Sequence, residues 1–317
     1  MAIASNNVAA VTTNAIVAPG GVIDAVFRNA STLSRLKKKE GDYVGGLTMD
    51  FPFFYKGNGS YKGGWYEGAD VLQFGTQEVM TSQKFTIREF EKSITVTGRD
   101  LAINYGQAAR VRLLASLLEG LELALREGFT EQLWGVTNSA KGINPVTDFL
   151  KDANVNYAGV SSADFAGYVA HVEANGGVPR ALSTYLDQKC VSGATEGSQK
   201  PTLRVMRNDT MDTFIELLKP NQRTTRESTL NGQGHADQNT LVYSGIDSIV
   251  DNLFLEKAIG YFNEKYFRMY SHPKYNMIQK EFGDMETIDA VLNRVYWKGF
   301  VGCHNLRSCS LLEDLIA

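Results

Sequence analysis

One long amphipathic period constrains this chain more than any other feature. From Asp100 to Trp134, apolar residues fall at Leu101, Ala108, Val111, Leu114, Leu118, Leu121, Leu125, Phe129 and Leu133. Steps of three, four and seven place them on one helical face. Thr97 or Asp100 is suited to cap the start, and Gly135 stands where a C-terminal glycine belongs. At a rise of 1.5 Å per residue the segment spans roughly 50 Å, about three times the usual globular helix. Gly106, Gly120 and Gly128 each weaken such a helix by up to about 1 kcal/mol relative to alanine. Packing must therefore hold it together, and Gly106 marks the expected break.

The segments around this helix differ in kind. Met1 to Pro19 is small and apolar with no clear period, and it lacks the basic start of a signal peptide. A short helix is expected from Val22 to Ser34, followed by a basic cluster of Arg35, Lys37, Lys38 and Lys39. This stretch reads as an arm that needs something else to lie on. Gly46 to Lys56 and Val71 to Val96 carry strand signals, separated by Gly57, Gly59, Gly63, Gly64 and Gly68. Two strand regions joined by a glycine-rich tip predict a long hairpin, which is marginal on its own in water.

After the long helix, strand and helix signals alternate. Asn144-Pro145 opens a turn, and Ser162 is expected to cap a helix from Ala163 to Asn175. Pro179 to Cys190 reads as a helix or an extended piece. A strand at Leu203–Met206 feeds a helix from Thr210 to Lys219, capped by Asn208 or Asp209 and stopped by Pro220. Asn221 to Asn239 is polar and long enough for a mobile loop. Short strands are expected at Leu241–Tyr243 and Ile246–Val250, then at Ala258–Phe262, Tyr266–Tyr270 and within Thr287–His304.

The chemistry of a catalytic site is largely missing. Gly57 to Gly63 misses the dinucleotide-loop pattern, because Lys62 occupies the third glycine's place. Cys303, His304 and Cys309 match no common zinc spacing, and three cysteines with Cys190 make no even disulfide framework. They read as reduced structural thiols of a cytosolic protein. His171, His235 and His272 stand apart, and no nucleophile-elbow or zinc-protease motif occurs. A net charge of -3 predicts no dedicated nucleic-acid binder, though Arg35, Lys37, Lys38 and Lys39 could make a weak phosphate contact. The bland reading of that cluster is a solvated or neighbour-facing stretch. No apolar run is long enough for a membrane span. The expectation is a structural protein and not an enzyme, with no cofactor and no metal.

The order of parts carries a resemblance. An arm, a glycine-tipped hairpin, a very long helix, an inserted α/β unit and closing strands resemble the major capsid proteins of tailed double-stranded DNA bacteriophages, the Hong Kong 97-like capsid fold. The residues concerned are Tyr43–Phe85 as extended loop, Asp100–Trp134 as spine helix, Asn144–Val250 as axial domain and Thr287–Leu315 as closing strands. The resemblance implies an α+β chain with an N-terminal arm at 1–42 and an extended β-hairpin loop at 43–85. It implies a peripheral domain at 86–139 and 253–317, with the spine helix at 100–134, and an inserted axial domain at 140–252. It further implies self-assembly into homo-pentamers and homo-hexamers of an icosahedral virion shell around double-stranded DNA, put together in a host cytoplasm. Scaffold, portal and decoration proteins are the other partners it allows. The assembly residues it points to are Lys56, Lys62 and Trp65 in the loop and Arg35, Lys37, Lys38 and Lys39 in the arm. Some members crosslink a loop lysine to a neighbour's asparagine; Lys56 and Lys62 lie in that region, with no identifiable partner. Two rivals remain open: an encapsulin-type shell for cargo enzymes, and a soluble α/β enzyme using a cysteine and histidine.

Overall fold

The computed structural model describes residues 31–43, 45–54, 62–68, 70–71, 75, 78–103, 107–137, 139–165, 167–195, 199–218, 226–227, 240–284 and 289–316. Helix α1 (Ser31–Lys38) leads into β1 (Gly41–Asp42) and a hairpin of β2 (Thr48–Phe54) and β3 (Met80–Thr86). β4 (Arg88–Thr97), α2 (Gly98–Ile103) and α3 (Gln107–Trp134) follow. Next come β5 (Asn156–Tyr157), β6 (Val160–Ser161), β7 (His171–Glu173), α4 (Thr184–Thr195), β8 (Leu203–Met206) and α5 (Asn208–Leu218). The chain closes with β9 (Arg226–Glu227), β10 (Thr240–Tyr243), β11 (Ile246–Val250), β12 (Ile259–Phe262), β13 (Phe267–Ser271), β14 (Ile278–Asp284), β15 (Ala290–Cys303) and β16 (Ser310–Leu312).

Two sheets carry the architecture. In one, β15 is the axis: β4 pairs with it antiparallel from Ala290 to Gly299, and β13 and β14 pair along its other edge. The other sheet runs β7-β16-β12-β8-β11-β10-β9. All four residues of β8 are buried, as are all four of β12. The strands after residue 253 divide between the sheets, because β12 and β16 join β8 and β7 while β13, β14 and β15 join β4. The division expected at residues 252 and 253 therefore does not coincide with a sheet boundary.

Helix is described at Gly98–Ile103 and at Gln107–Trp134; residues 104–106, and with them the break expected at Gly106, lie outside the described ones. Leu121, Leu125, Phe129 and Leu133 are buried. Leu121 and Leu125 pack with Val295, Phe90 and Ile94, which belong to β15 and β4. The Phe129 ring meets Trp297 edge-on at 4.8 Å, and Trp134 meets Phe254 at 4.7 Å. α3 ends at Gly135, whose φ is +76°. Its N–H bonds to the Gln132 carbonyl and the Val136 N–H to that of Glu131, the paired pattern that closes a helix on a left-handed residue. A Cβ at Gly135 would lie 2.7 Å from Thr147 Oγ1.

Local readings failed in three places. Ala163 to Asn175 is not a helix: Ser162 Oγ accepts a hydrogen bond from the Val155 N–H and closes a loop, and β7 pairs parallel with β16. Partners more than a hundred residues away outweigh local propensity there. The helix at Ser31–Lys38 runs past the expected end at Ser34, so Arg35, Lys37 and Lys38 lie within it and Lys39 just beyond; residues 22–30 of the expected span fall outside the described ones. Strand is absent at the described positions between 71 and 79, and β3 starts at Met80. The expected loop at 221–239 lies almost wholly outside the described residues.

Candidate assembly surface

The hairpin has a rooted base and an uncovered remainder. Met49, Phe51 and Phe53 share the inward face of β2. Phe51 stacks on His304 at 3.8 Å and Phe53 on Tyr168 at 5.3 Å. From β3, buried Phe85 stacks on Phe300 at 5.1 Å. Gly302 makes room for it, since a Cβ there would lie 2.4 Å from the Phe85 ring. The Gln83 amide donates to the His304 carbonyl, and the Lys84 N–H to that of Ala158. Burial, followed by the nearby Arg268 charge, pushes the His304 imidazole down to about 4. Beyond this root the apolar side chains lose their cover: Leu47, Phe54, Trp65, Tyr66, Val71 and Met80 are exposed, Trp65 at 106%. Those six, between residues 47 and 80, make half of the twelve large apolar side chains exposed among the described residues. Such concentration in one segment differs from single scattered exposures, which need no explanation.

The basic cluster of α1 is only half free. Arg35 Nε donates to Glu264 Oε1 at 2.7 Å, and its Nη2 reaches Asp247. Lys39 Nζ lies 2.7 Å from Glu264 Oε2, and Thr202 Oγ1 donates to the same oxygen. Burial pushes the Glu264 carboxyl up, yet Arg35 and Lys39 outweigh it and hold the group below its ordinary value. Ser31 Oγ donates to the Val250 carbonyl, and Leu33 and Leu36 are buried. The segment is thus clipped to its own chain, while Lys37 and Lys38 stay exposed. In the loop, Lys62 is exposed and Lys56 lies outside the described residues, as does Gly57 to Tyr61.

The buried polar groups are structural in arrangement. Arg204 on β8 is fully buried; its Nε and Nη2 donate to both carboxylate oxygens of Asp187, at 2.9 and 2.7 Å. The Tyr261 hydroxyl donates to Asp187 Oδ1 at 2.8 Å, and the Tyr243 carbonyl accepts from Arg204 Nη1. The guanidinium also lies over the rings of Phe214, Tyr243 and Tyr261. Sequence reading missed this pair, because a charge inside a four-residue strand signals nothing about burial. Cys303 and Cys309 bring their Sγ atoms to 3.4 Å, both buried. Burial pushes the Cys303 thiol far up, and the Cys190 thiol up to about 12. Among the described residues no three His, Cys, Asp or Glu side chains are placed to hold a metal ion. No helix among them is long and apolar enough to cross a membrane.

A rooted projecting hairpin, a long helix laid on a β15-centred sheet and a second sheet with covering helices define the Hong Kong 97-like capsid fold. No protein-family model matches the chain, and no curated protein matches it. Solved structures do. The capsid asymmetric unit of cyanophage A-1(L) aligns with a TM-score of 0.68 at 10% identity, over 93% of this chain and 95% of that one. The capsid of an empty GTA particle aligns at 0.61 and 11% identity, over 93% of each chain. The holo-SrpI encapsulin complex of Synechococcus elongatus PCC 7942 aligns at 0.59 and 8% identity, over 99% of this chain and 96% of that one. At these identities the likeness is one of fold.

Proposed function

We propose that this chain is the major capsid protein of a tailed double-stranded DNA bacteriophage, a structural subunit and not an enzyme. It forms homo-pentamers and homo-hexamers of an icosahedral virion shell assembled in the host cytoplasm. The observation that carries this reading is the hairpin: an apolar projection anchored at its root is left uncovered by the described residues of its own chain and fits a neighbour's surface. Likeness to phage capsids over more than nine-tenths of the chain supports it. The peripheral unit is proposed as the β15-centred sheet with α3, and the axial unit as the seven-stranded sheet with α4 and α5. Lys37 and Lys38 are the arm residues left for weak contact with packaged DNA. Scaffold, portal and decoration proteins are proposed as further partners.

The buried thiols support a structural role, because burial disfavours the thiolate that a nucleophile requires. The second reading is an encapsulin-type shell, supported by the likeness to the SrpI complex across 99% of this chain. Contents discriminate the two. Particles isolated from the native source are treated with nuclease and then opened. Protected double-stranded DNA is expected, and a packaged enzyme without DNA would transfer the assignment to the encapsulin reading.

A further inference from the structure

A cavity of about 400 Å3 opens where the C-terminal half of α3 passes β4. Phe90, Phe129 and Trp297 line it with aromatic surface, and Arg88, Lys92 and Lys141 line it with positive charge. Arg88, Phe90 and Lys92 alternate along β4, so all three project from the same face of the strand. Its walls are fixed in advance. A Cβ at Gly128 would approach Phe90 Cζ to 3.3 Å and Lys92 Cε to 3.4 Å, so the bare backbone of α3 lets the strand come close. The Gln132 side chain ties down the far wall, donating to the Ile143 carbonyl and accepting from the Ser139 N–H, both at 2.9 Å. Among the described residues, none of Arg88, Lys92 and Lys141 makes an ion pair. Glu89 at the edge is already engaged by Lys298 at 2.8 Å, which leaves Glu131 as the other carboxylate of the lining.

The hairpin projection carries the complementary chemistry. Trp65 is wholly exposed and Tyr66 largely so. Directly after them, the Glu67 N–H donates to Asp70 Oδ2 at 3.0 Å and the Asp70 N–H to the Glu67 carbonyl at 3.3 Å. This turn holds two carboxylates beside the aromatic pair. An aromatic anchor followed by acid matches an aromatic-lined cavity with a basic rim, both in shape class and in sign. We infer that Trp65 of one copy seats in this cavity of a second copy, with Glu67 and Asp70 facing Arg88, Lys92 and Lys141. The inference rests on the shell reading and names the receptor surface for its projecting loop.

The test uses assembled particles. A chain carrying the photoreactive p-benzoylphenylalanine in place of Trp65 is mixed with isotopically heavy wild-type chain, assembled and irradiated. The expected crosslink joins the light loop peptide to heavy peptides containing residues 88–92 or 128–143. Crosslinks to another surface of the heavy chain, to the light chain's own body or to a different protein overturn the inference while leaving the shell reading intact. Failure of wild-type chains to assemble at all overturns both. In parallel, Trp65→Ala is expected to weaken subunit association about 30-fold, the loss typical of a central aromatic anchor. Its circular dichroism should not change, and Trp65→Phe should recover part of the loss. Equal association of Trp65→Ala and wild type contradicts the inference.

Discussion

Acid is expected to loosen the root of the hairpin through His304. The imidazole lies against Phe51 and Phe85, its Nε2 is 3.0 Å from the Tyr270 hydroxyl, and its buried Nδ1 has no hydrogen-bond partner. Desolvation lowers its value from 6.5 to about 4. A native value below the ordinary one means that the folded chain binds fewer protons, so this stabilisation is complete above pH 6.5 and is lost as pH falls towards 4. Each pH unit within that window costs about 1.4 kcal/mol. At pH 5 the loss amounts to about 2 kcal/mol, a large part of the 5–15 kcal/mol that holds a domain together. Urea denaturation of wild type and His304→Phe at pH 7, 6 and 5 isolates the effect, because every other titrating group is shared. Phenylalanine keeps the stacking and loses only the Tyr270 contact. The wild-type stability should fall about 2 kcal/mol further than the variant's between pH 7 and 5. Parallel pH profiles for the two proteins would refute the reasoning.

Glu264→Gln removes the charge that holds Arg35 and Lys39, and should cost about 2 kcal/mol. Limited proteolysis should then cut near residues 31–40, and wild type should become equally sensitive only when pH falls from 4.5 through the lower value that Arg35 and Lys39 impose on this carboxyl; unchanged protection would show that the clip carries no weight. Arg204→Met leaves the Asp187 carboxylate buried without a counter-charge and should cost about 3–5 kcal/mol, most of it recovered by adding Asp187→Leu. Denaturation midpoints check this, and a mild single variant would contradict the buried-pair account. Leu125→Asp puts a charge into the α3 seam at a cost of several kcal/mol and should yield insoluble protein. Glu119→Gln, on the exposed side, should assemble normally in the same assay; equal behaviour would mean the seam is misplaced.

Some of this structure was legible because it depends on local order. The face of Leu121, Leu125, Phe129 and Leu133 follows from period alone, and a strand at Leu203–Met206 feeding a helix from punctuation; that helix begins at Asn208 instead of being capped by it and is described to Leu218. The fourteen-residue β15 falls within the strand region expected at Thr287–His304. What stayed hidden depends on contacts distant in sequence. Arg35 and Glu264 are separated by 229 positions, so a basic run that looked solvated turns out to be half-engaged. β7 becomes strand only because β16 lies beside it, and Ala163 to Asn175 reads as helix without that edge. Arg204 is tolerable inside a buried strand only because Asp187, from α4, arrives with matching geometry. The close approach of β4 to α3 beside the cavity needs a bare backbone at Gly128, which by itself reads only as a weak point in a helix.

On the proposed shell reading, the chain completes itself only in contact with further copies. Purified wild-type protein, imaged by electron microscopy after assembly and sized by light scattering, measures this directly. Closed shells built of five-fold and six-fold rings, each with its hairpins seated on neighbouring subunits, are the predicted result. A stable, well-folded monomer under every salt and concentration tried, with its hairpin still uncovered, would contradict it.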